Sequence, residues 1–552
     1  MGGAGWQVIC DRWKRGGHGG APSGMRDPVQ LWLPSALPGR AISSRSAAVT
    51  ERSQIPPAAP APKTVIEQFR AKTIRQRIHP REQALLWTVA AQLVFLPWAL
   101  GGMRQWGQEI SLGLSVVAFV VALSPRDYDE TTGGQVPFRL YTWPKLVRFP
   151  IFWLGLAFLG YIVVQALNPA WVYQTDGKSW WMKKNLDSIE WLPSGVDVPI
   201  EMWGPWRMLM IYASVWLTVC AAWIGFTRRK SLQTLFSVLA GNAFLLAGLG
   251  IAERALGAKK IFWFWQPPAS YFVSSFVYKN HAGAYFNLLL SLCAGLAYWH
   301  YERSQRRLDK SSPSGLFGFF GTAVAMIVFF SYSRTATILM FVFLIVALLL
   351  FFWNGFMKTA SGNRPTFMLA VLLITFLAFV RIGLTSLRTE KVIERLSELR
   401  EQFDFERVGT RTRAAEATWD MARERLLTGW GAGSFRFIFP IFQQHYPEIY
   451  ADHNHRFYWD HAHNDYIEFL AEFGIIGVAI ILAGSSYTAL KMVKTYAWEN
   501  PLTLFLSIGI LVSVVHSIVD FNFYNPAILT TWCVLLYTLI RWSELEEVNS
   551  PP

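Results

Sequence analysis

The sequence predicts an all-α integral membrane protein with about twelve transmembrane helices and one large helical loop outside the membrane. Three observations predict this class. The 552 residues are 52% hydrophobic, and the mean hydropathy is +0.26. The apolar residues come in blocks near the ~20 residues that a helix needs to cross a bilayer. The 26 tryptophans and 40 phenylalanines fit aromatic belts at the two membrane interfaces.

Hydropathy gives each transmembrane helix a position along the chain. Each block of mainly apolar residues is taken as one helix. The blocks lie at about 84–100, 107–124, 149–167, 207–226, 232–252, 282–299, 315–332, 335–353, 366–384, 465–490, 501–520 and 525–541.

Basic residues set the orientation of these helices. Lys and Arg are enriched in cytoplasmic loops, and the chain has five of them just before the first block, so we expect the N-terminus inside. Strict alternation then makes every inside loop basic. These loops carry Arg126, Arg139, Lys145 and Arg148; Arg228, Arg229 and Lys230; Arg303, Arg306, Arg307 and Lys310; Lys358 and Arg364; and Lys491 and Lys494.

The remaining segments complete the predicted organisation. Residues 1–80 are rich in Gly, Pro, Ala and Arg, which indicates a disordered basic leader, and Met25 is an alternative start. Helices one to nine occupy 81–384 and helices ten to twelve occupy 465–541. Residues 385–464 form an outer loop too long for a simple connector, and 542–552 form an inner tail.

Charge and cysteine content exclude several classes of function. The net charge of +14 could suggest nucleic acid, but the basic residues lie between apolar blocks, where membrane topology explains them. We therefore expect no nucleic-acid partner. The four cysteines show neither metal-ligand spacing nor a disulfide pattern, and we expect no metal and no cofactor.

The most informative segment begins at His461 and reads His-Ala-His-Asn-Asp-Tyr-Ile-Glu-Phe-Leu-Ala-Glu-Phe-Gly-Ile-Ile-Gly. It places two imidazoles, an amide and a carboxylate at the start of an apolar helix. Ionisable groups at a membrane boundary are costly unless they are used or solvated. Histidine is also the side chain best suited to move a proton near neutral pH. The segment therefore indicates a reaction or ligand site at the rim of a membrane helix.

Other polar residues fall on the same predicted outer face. Arginine binds phosphate oxygens through two parallel hydrogen bonds and cannot lose its proton. Arginines beside a histidine and a carboxylate at a lipid boundary therefore suit an anionic, lipid-linked substrate. The converging residues are Lys279, Asn280, His281, Arg334, Arg411, Arg413, His461, His463, His516 and Asp520.

A helix is predicted within the long outer loop. From Thr412 to Leu427, apolar residues recur at helical spacing, and Ala415, Trp419, Ala422 and Leu426 would form its apolar face. The glycines of the Gly-Trp-Gly-Ala-Gly run at 429–433 end it.

Four motifs together resemble the O-antigen ligase / O-antigen polymerase superfamily, over residues from about 200 to 540. They are the segment from His461, the turn Ser-Tyr-Ser-Arg-Thr-Ala at 331–336, the stretch from Arg411 through Trp419 to Phe435, and His-Ser-Ile-Val-Asp-Phe-Asn-Phe at 516–523.

The resemblance implies a polytopic inner-membrane glycosyltransferase of the GT-C type that needs no metal. Such an enzyme takes a glycan from undecaprenyl diphosphate and transfers it, with inversion, to an acceptor sugar hydroxyl on the periplasmic side. By the resemblance, Arg334 and Arg411 hold the diphosphate, and His463 activates the acceptor. Arg413 lies close enough to Arg411 to leave that choice open. The donor would be a lipid-linked glycan, and the acceptor another glycan or lipid A-core.

Each of these residues also has a structural interpretation. His463 could cap a helix or bind backbone, and His461 could be a structural neighbour or a proton partner. Asn464 or Asp465 could cap the helix, and we expect Asp465 to do so. Arg334 could reach lipid headgroups, while Arg411 and Arg413 could be solvated. Asp520 could pair with an arginine of the site. We expect Glu468 and Glu472 to contact polar partners rather than to catalyse.

Other functions remain as alternatives. A polymerase of the same superfamily would use the same donor, and the sequence does not separate it from a ligase. A transporter of lipid-linked oligosaccharides predicts charge near the bilayer midplane and internal repeats, whereas here the charges lie at one face. A scaffold for a polysaccharide machine predicts that the histidines could be lost without effect.

Overall fold

The structure, a computed structural model, is mainly helical. It describes residues 77–129, 137–268, 271–308, 311–358, 405–452, 455–456 and 458–547. The predicted leader and the predicted ninth membrane helix, at 366–384, lie outside these ranges.

Long apolar helices dominate the chain. In order, the α-helices are α1 (Pro80–Trp98), α2 (Gln105–Leu123), α3 (Trp143–Val147), α4 (Pro150–Leu167), α5 (Pro205–Gly225), α6 (Arg229–Ala255), α7 (Lys279–Arg307), α8 (Ser314–Phe330), α9 (Arg334–Lys358), α10 (Phe405–Glu424), α11 (Phe435–Gln443), α12 (Pro447–Tyr450), α13 (Asp465–Lys494), α14 (Pro501–His516) and α15 (Pro526–Glu547).

Seven helices in the described part of the chain are long and apolar enough to cross a membrane: α2, α4, α5, α6, α7, α13 and the Arg334–Phe351 part of α9. Two further apolar helices, α8 and α14, are shorter. Every predicted block other than 366–384 coincides with a helix, within a few residues at most ends. The count of twelve membrane spans stays a prediction.

Helix α7 lies at the centre of the bundle, and most of its residues are buried. It packs against α8, α14, α6 and α9. Two glycines allow the close approach. A Cβ at Gly283 would lie 2.4 Å from Ala336 Cβ, and one at Gly295 would lie 3.0 Å from the carbonyl oxygen of Leu502. Small residues at helix crossings let the backbones come together.

Small β-sheets, which the all-α prediction did not include, join the helices. Strands β1 (Arg126–Tyr128) and β2 (Phe138–Leu140) pair antiparallel, as do β6 (Ala451–Asp452) and β7 (His455–Arg456). The tryptophan-rich segment after α4 folds into β3 (Pro169–Thr175), β4 (Trp180–Lys184) and β5 (Gly195–Asp197). In that sheet β3 lies between the other two, antiparallel to β4 and parallel to β5.

A second hydrophobic core lies between this sheet and helices α10 and α11. The predicted helix at 412–427 exists as α10, and Ala422 of its predicted apolar face is buried, but the rest of that face is wrong. Trp419 is 44% exposed, while the side chains of Ala414, Ala417 and Met421 are fully buried. Helix α10 therefore packs through the face that carries Ala414, Ala417 and Met421. At its end, Trp430 donates its indole N–H to the Met421 carbonyl oxygen at 2.7 Å.

The glycines of two motifs meet at a break in α13. Gly474 has φ +60° within the helix, and a Cβ there would lie 2.4 Å from the Leu427 carbonyl oxygen. A Cβ at Gly429 would lie 2.3 Å from the Glu472 carbonyl oxygen. The helix therefore breaks where the loop after α10 runs against it. Backbone hydrogen bonds join the two segments, for instance from Gly431 N to the Glu472 carbonyl oxygen at 2.8 Å.

Candidate functional site

The predicted outer loops gather at one end of the bundle. Arg411, in the first half of α10, donates to the carbonyl oxygen of Val519, a residue that follows α14, at 3.1 Å. Asn280, at the start of α7, donates to Asp520 Oδ2. Asp465 N, at the start of α13, donates to the Ser517 carbonyl oxygen at 3.0 Å. Helix ends that are far apart in sequence thus form one polar cluster.

His463 lies within this cluster, in the loop that leads into α13. Its φ of +55° falls in the left-handed region, which is uncommon for a residue with a side chain and is often found at functional sites. Its Nδ1 lies 3.5 Å from Asp520 Oδ1, and the side chain is 23% exposed. The ring therefore has a carboxylate on one side and remains open on another.

Asp520 is almost fully buried and contacts His463 and Asn280. The sequence-based suggestion pairs Asp520 with an arginine, whereas the contact that the structure shows for its carboxylate is with the His463 ring. Burial alone would raise the pKa of Asp520, but the close contact with His463 and the nearby His516 and His281 lower it to about 2. The carboxylate is therefore ionised at any working pH.

The start of α13 is fixed by two neighbouring side chains with different roles. Asn464, and not Asp465 as predicted, is the N-cap. Its φ and ψ are extended, and its Oδ1 accepts from Tyr466 N at 3.0 Å. Asp465 is buried and accepts instead from Phe523 N at 3.1 Å. Asp465 therefore ties the start of α13 to the loop that carries Asp520.

His461 is a buried neighbour of His463 with both ring nitrogens bonded. Arg436 can only donate, so Nε2, which lies 3.2 Å from it, is the acceptor. Nδ1 then carries the proton and donates to Glu468 at 2.7 Å. Burial, followed by the charge of Arg436, holds the pKa of His461 well below its usual range. His461 is therefore a neutral imidazole that is held on both sides. This fits a structural role for His461 rather than the role of a proton partner.

Glu468 and Glu472 contact polar partners, as expected. Glu468 also accepts from Ala462 N at 2.7 Å. Glu472 accepts from Tyr524 O–H at 2.7 Å and from Phe435 N at 3.1 Å. The two carboxyl groups lie inside the protein and hold the surrounding loops.

His281 and Phe521 support the loop that carries Asp520. His281 Nε2 lies 3.2 Å from the Phe521 carbonyl oxygen, which can only accept, so Nε2 donates. The Phe521 ring stacks on His461 at 4.3 Å and meets His463 edge-on at 5.1 Å. One aromatic ring thus contacts both histidines of the motif.

The three predicted diphosphate-binding arginines lie in different surroundings. Arg411 contacts the backbone one residue before Asp520. Arg413 is exposed and pairs with Glu416 at 2.6 Å and with Glu448 at 3.9 Å. Arg334 is the exposed first residue of α9. The turn before Arg334 packs on α7, since Gly283 faces both Ser333 and Ala336.

An open cavity of about 870 Å³ lies beside His463. Most of its lining residues are not among the site residues predicted from the sequence. Arg436 follows directly after Phe435, the last residue of one of the four family motifs. Its position next to that motif is the sequence signal that points to it. The lining includes Arg104, Trp106, Trp203, Arg207, Trp265, Tyr271, Tyr278, His281, Arg436, Tyr458, Trp459, Asp460, His461, His463 and Phe521.

Aromatic rings and arginine side chains that are held by neighbouring residues line this cavity. Arg207 is buried and donates Nε–H to Gln108 Oε1 at 2.8 Å, and its guanidinium lies 4.5 Å from the centre of the Trp203 ring. Arg436 pairs with Asp460 at 3.4 Å. Within the described residues, no group of three or more His, Cys, Asp or Glu side chains could hold a metal ion.

Apolar spanning helices with a polar cluster and an aromatic cavity at one end define an integral membrane protein with a site at the rim of its bundle. Residues 318–482 match the family model described as O-antigen ligase, and this match supports membership of the O-antigen ligase / O-antigen polymerase superfamily. The match indicates a glycosyltransferase-like enzyme, a family whose partners are in general lipid-linked glycans and their acceptors. The comparison with curated proteins found no match.

The matched segment covers only part of the site. It contains all three predicted arginines and the motif from His461. Asp520 and Asn280, which contact each other, lie on opposite sides of it in the sequence.

Proposed function

We propose that this protein transfers a glycan from undecaprenyl diphosphate to a sugar hydroxyl of an acceptor on the periplasmic face of the inner membrane, as an O-antigen ligase would. The observation that carries the proposal is the position of His463, between the buried carboxylate of Asp520 and the open cavity. The family match independently favours glycan transfer.

His463 is the proposed general base. With Nδ1 directed at Asp520, Nε2 is the nitrogen available to the acceptor hydroxyl. The carboxylate would hold the ring in this tautomer and stabilise the imidazolium as it forms, as the aspartate does in serine proteases. Removing the hydroxyl proton during attack contributes about 10²–10⁴-fold to the rate.

Arginines are the proposed partners of the leaving diphosphate. Two guanidinium groups would stabilise the charge that develops on it as the glycosidic bond breaks. Arg411, through its contact beside Asp520, and Arg334, on the turn packed against α7, are the residues proposed for this role. Arg413 is the weaker candidate because its guanidinium pairs with Glu416. Direct displacement would invert the anomeric carbon.

The aromatic cavity is the proposed acceptor site. Sugars present C–H faces that pack on aromatic rings, and Trp203, Trp265 and Trp459 line this space. An acceptor sugar held there would have its hydroxyl on the His463 side of the cavity.

The reaction is tested with the purified protein, an undecaprenyl-diphosphate-linked oligosaccharide and lipid A-core. Transfer of the oligosaccharide to lipid A-core in the absence of any nucleotide sugar supports the proposal. Release of free oligosaccharide alone, or no turnover with any glycan acceptor, contradicts it.

A deletion strain separates the ligase from the polymerase. Long chains that remain on undecaprenyl diphosphate indicate a ligase, whereas loss of chain length indicates a polymerase. A gel of lipopolysaccharide and of lipid-linked glycan from the same cells shows which occurs.

The proposed orientation can be tested by labelling with a membrane-impermeant thiol reagent. Asp176 is an exposed residue of the β3–β4 hairpin, at the site end of α4, and Gln305 is exposed near the other end of α7. Asp176→Cys should react in intact spheroplasts, and Gln305→Cys only after lysis. The reverse pattern would reject a periplasmic site.

A further inference from the structure

A second cavity lies at the end of the bundle opposite to His463. At one end of helix α7, Asn280 donates a hydrogen bond to Asp520. At the other end, the helix stops at Arg307, and this residue lines the second cavity. Its 29 residues span about 43 Å at 1.5 Å per residue. The two cavities are therefore separated by roughly the thickness of a membrane.

The second cavity has a volume of about 1010 Å³ and is rich in basic side chains. It lies among the start of α6, the end of α7, the connection from α13 to α14 and the end of α15. Five basic residues face three acidic ones, which leaves an excess of positive charge. The basic residues are Arg229, Lys230, Arg303, Arg306 and Arg307, and the acidic ones are Glu302, Glu499 and Glu546.

Two tryptophans hold two of these arginines in place. The Arg229 guanidinium lies 4.5 Å from the centre of the Trp542 ring, and that of Arg303 lies 5.1 Å from Trp299. The two indoles meet edge-on at 5.4 Å. Guanidinium planes stacked on aromatic rings are already oriented, so less entropy is lost when they bind an anion.

The carboxylate of Glu546 holds Arg229 in place, and the cavity still has more basic than acidic side chains. Glu546 accepts from Arg229 at 3.2 Å and from Asn500 Nδ2 at 2.7 Å. This arrangement fixes Arg229 at one wall, while Arg303 and Arg307 lie on α7. Cations on different helices thus surround one space.

We propose that this cavity binds the phosphate of an anionic phospholipid, of the phosphatidylglycerol or cardiolipin class. Guanidinium groups match phosphate oxygens, and aromatic rings with basic residues at helix ends mark the headgroup level of a bilayer. The basic loops at this end are those that the positive-inside rule assigns to the cytoplasm, where the leaflet is anionic. A basic pocket between such helix ends suits a phospholipid headgroup.

The test is lipid binding to the full-length protein, measured by native mass spectrometry from detergent with phosphatidylglycerol added in steps. Arg303→Gln/Arg307→Gln removes two cations but leaves the Arg229–Trp542–Glu546 group intact. Arg139→Gln/Arg148→Gln is the matched control. It removes two exposed arginines that the same rule places on the same face, outside the cavity.

We expect the cavity variant to bind phosphatidylglycerol roughly ten- to thirty-fold more weakly than the wild type. Each substitution removes the binding free energy that one basic side chain contributes near an anionic lipid. Binding of phosphatidylcholine should not change, and the control should behave as the wild type. Equal phosphatidylglycerol binding by all three proteins would overturn the proposal.

A competition arm distinguishes a lipid from a soluble phosphate. Inorganic phosphate and glycerol 3-phosphate carry the same anionic group without acyl chains. If the ligand is a lipid, neither should displace phosphatidylglycerol at equal concentration. Displacement by either compound would instead assign the cavity to a soluble phosphate and overturn the lipid assignment. Thermal unfolding of each variant shows whether it is folded before binding is compared.

Discussion

The imidazole Nδ1 of His463 lies 3.5 Å from Oδ1 of Asp520, although one residue precedes α13 and the other follows α14. The contact is held from both sides. Asp465 ties the start of α13 to the loop that carries Asp520, and Asn280 of α7 donates to the second carboxylate oxygen. The pair is therefore part of the packing of three helices.

This relationship predicts the effect of Asp520→Asn. The amide keeps the shape of the carboxylate but loses its charge, and it can present N–H to Nδ1 and favour the other tautomer. We expect glycan transfer to fall by about 10²–10⁴-fold in kcat with donor binding little changed. Rates of transfer by the purified variant test this. Asp187→Asn, at an exposed position of the outer sheet region, is the control and should retain activity.

The meeting of Gly429 and Gly474 predicts a loss of stability. Gly474→Ala would place a Cβ 2.4 Å from the Leu427 carbonyl oxygen at a residue with φ +60°. We expect destabilisation of about 1–3 kcal/mol from the strained backbone, with more if the loop must move. Gly484→Ala in the same helix is the control, because its nearest neighbour would lie 3.5 Å away. Equal melting temperatures of the two variants in detergent would argue against this role.

Arg411 and Arg413 have different surroundings, so we expect their removal to lower the rate of transfer by different amounts. Arg411→Ala should lower the rate of transfer by roughly 10- to 100-fold, the range expected when one charged hydrogen-bond partner of a phosphate is lost. Arg413→Ala should change it little, because that side chain is exposed and paired with Glu416. Transfer rates at saturating and limiting donor concentration compare the two. The opposite order would move the diphosphate site to Arg413.

The proposed base also predicts how activity depends on pH. An imidazole must be neutral to accept a proton, so transfer should fall as the solution becomes acidic. Asp520 cannot cause this fall, because His463 lowers its pKa to about 2 against the effect of burial. His461 cannot cause it either, since burial and the charge of Arg436 hold its pKa well below 6.5, and it stays neutral.

Over the pH range measured, the acidic limb should therefore report a single proton, with a limiting slope of about one when log kcat/KM is plotted against pH. The measurement uses a donor whose own charge does not change in this range. A slope near two, or a flat profile, would show that another group or step limits the reaction.

Much of the helical framework follows from the sequence because hydropathy is a local property of the chain. The block predicted at 149–167 appears as α4 at Pro150–Leu167, for example. Loops between such helices must lie at one face or the other, so the approach of Asn280 to Asp520 could be expected before their contact was known.

The errors concern features that depend on neighbours in space. Asn and Asp are both good helix caps, and only the extended backbone of Asn464 decides between them. The predicted apolar face of α10 includes Trp419, but this residue is 44% exposed and the helix buries Ala414 and Met421 instead. Arg436 joins the site through His461, a contact that no spacing in the sequence reveals.

The most direct test of the account is glycan transfer by His463→Gln. Glutamine keeps a polar side chain at this position but cannot take up a proton in the useful range. Purified wild-type and variant proteins would be compared for transfer from undecaprenyl-diphosphate-linked oligosaccharide, with donor binding and thermal unfolding measured on the same samples. The account predicts that transfer falls by at least about 10²-fold while donor binding and unfolding stay near those of the wild type. Transfer by the variant at near the wild-type rate would contradict it.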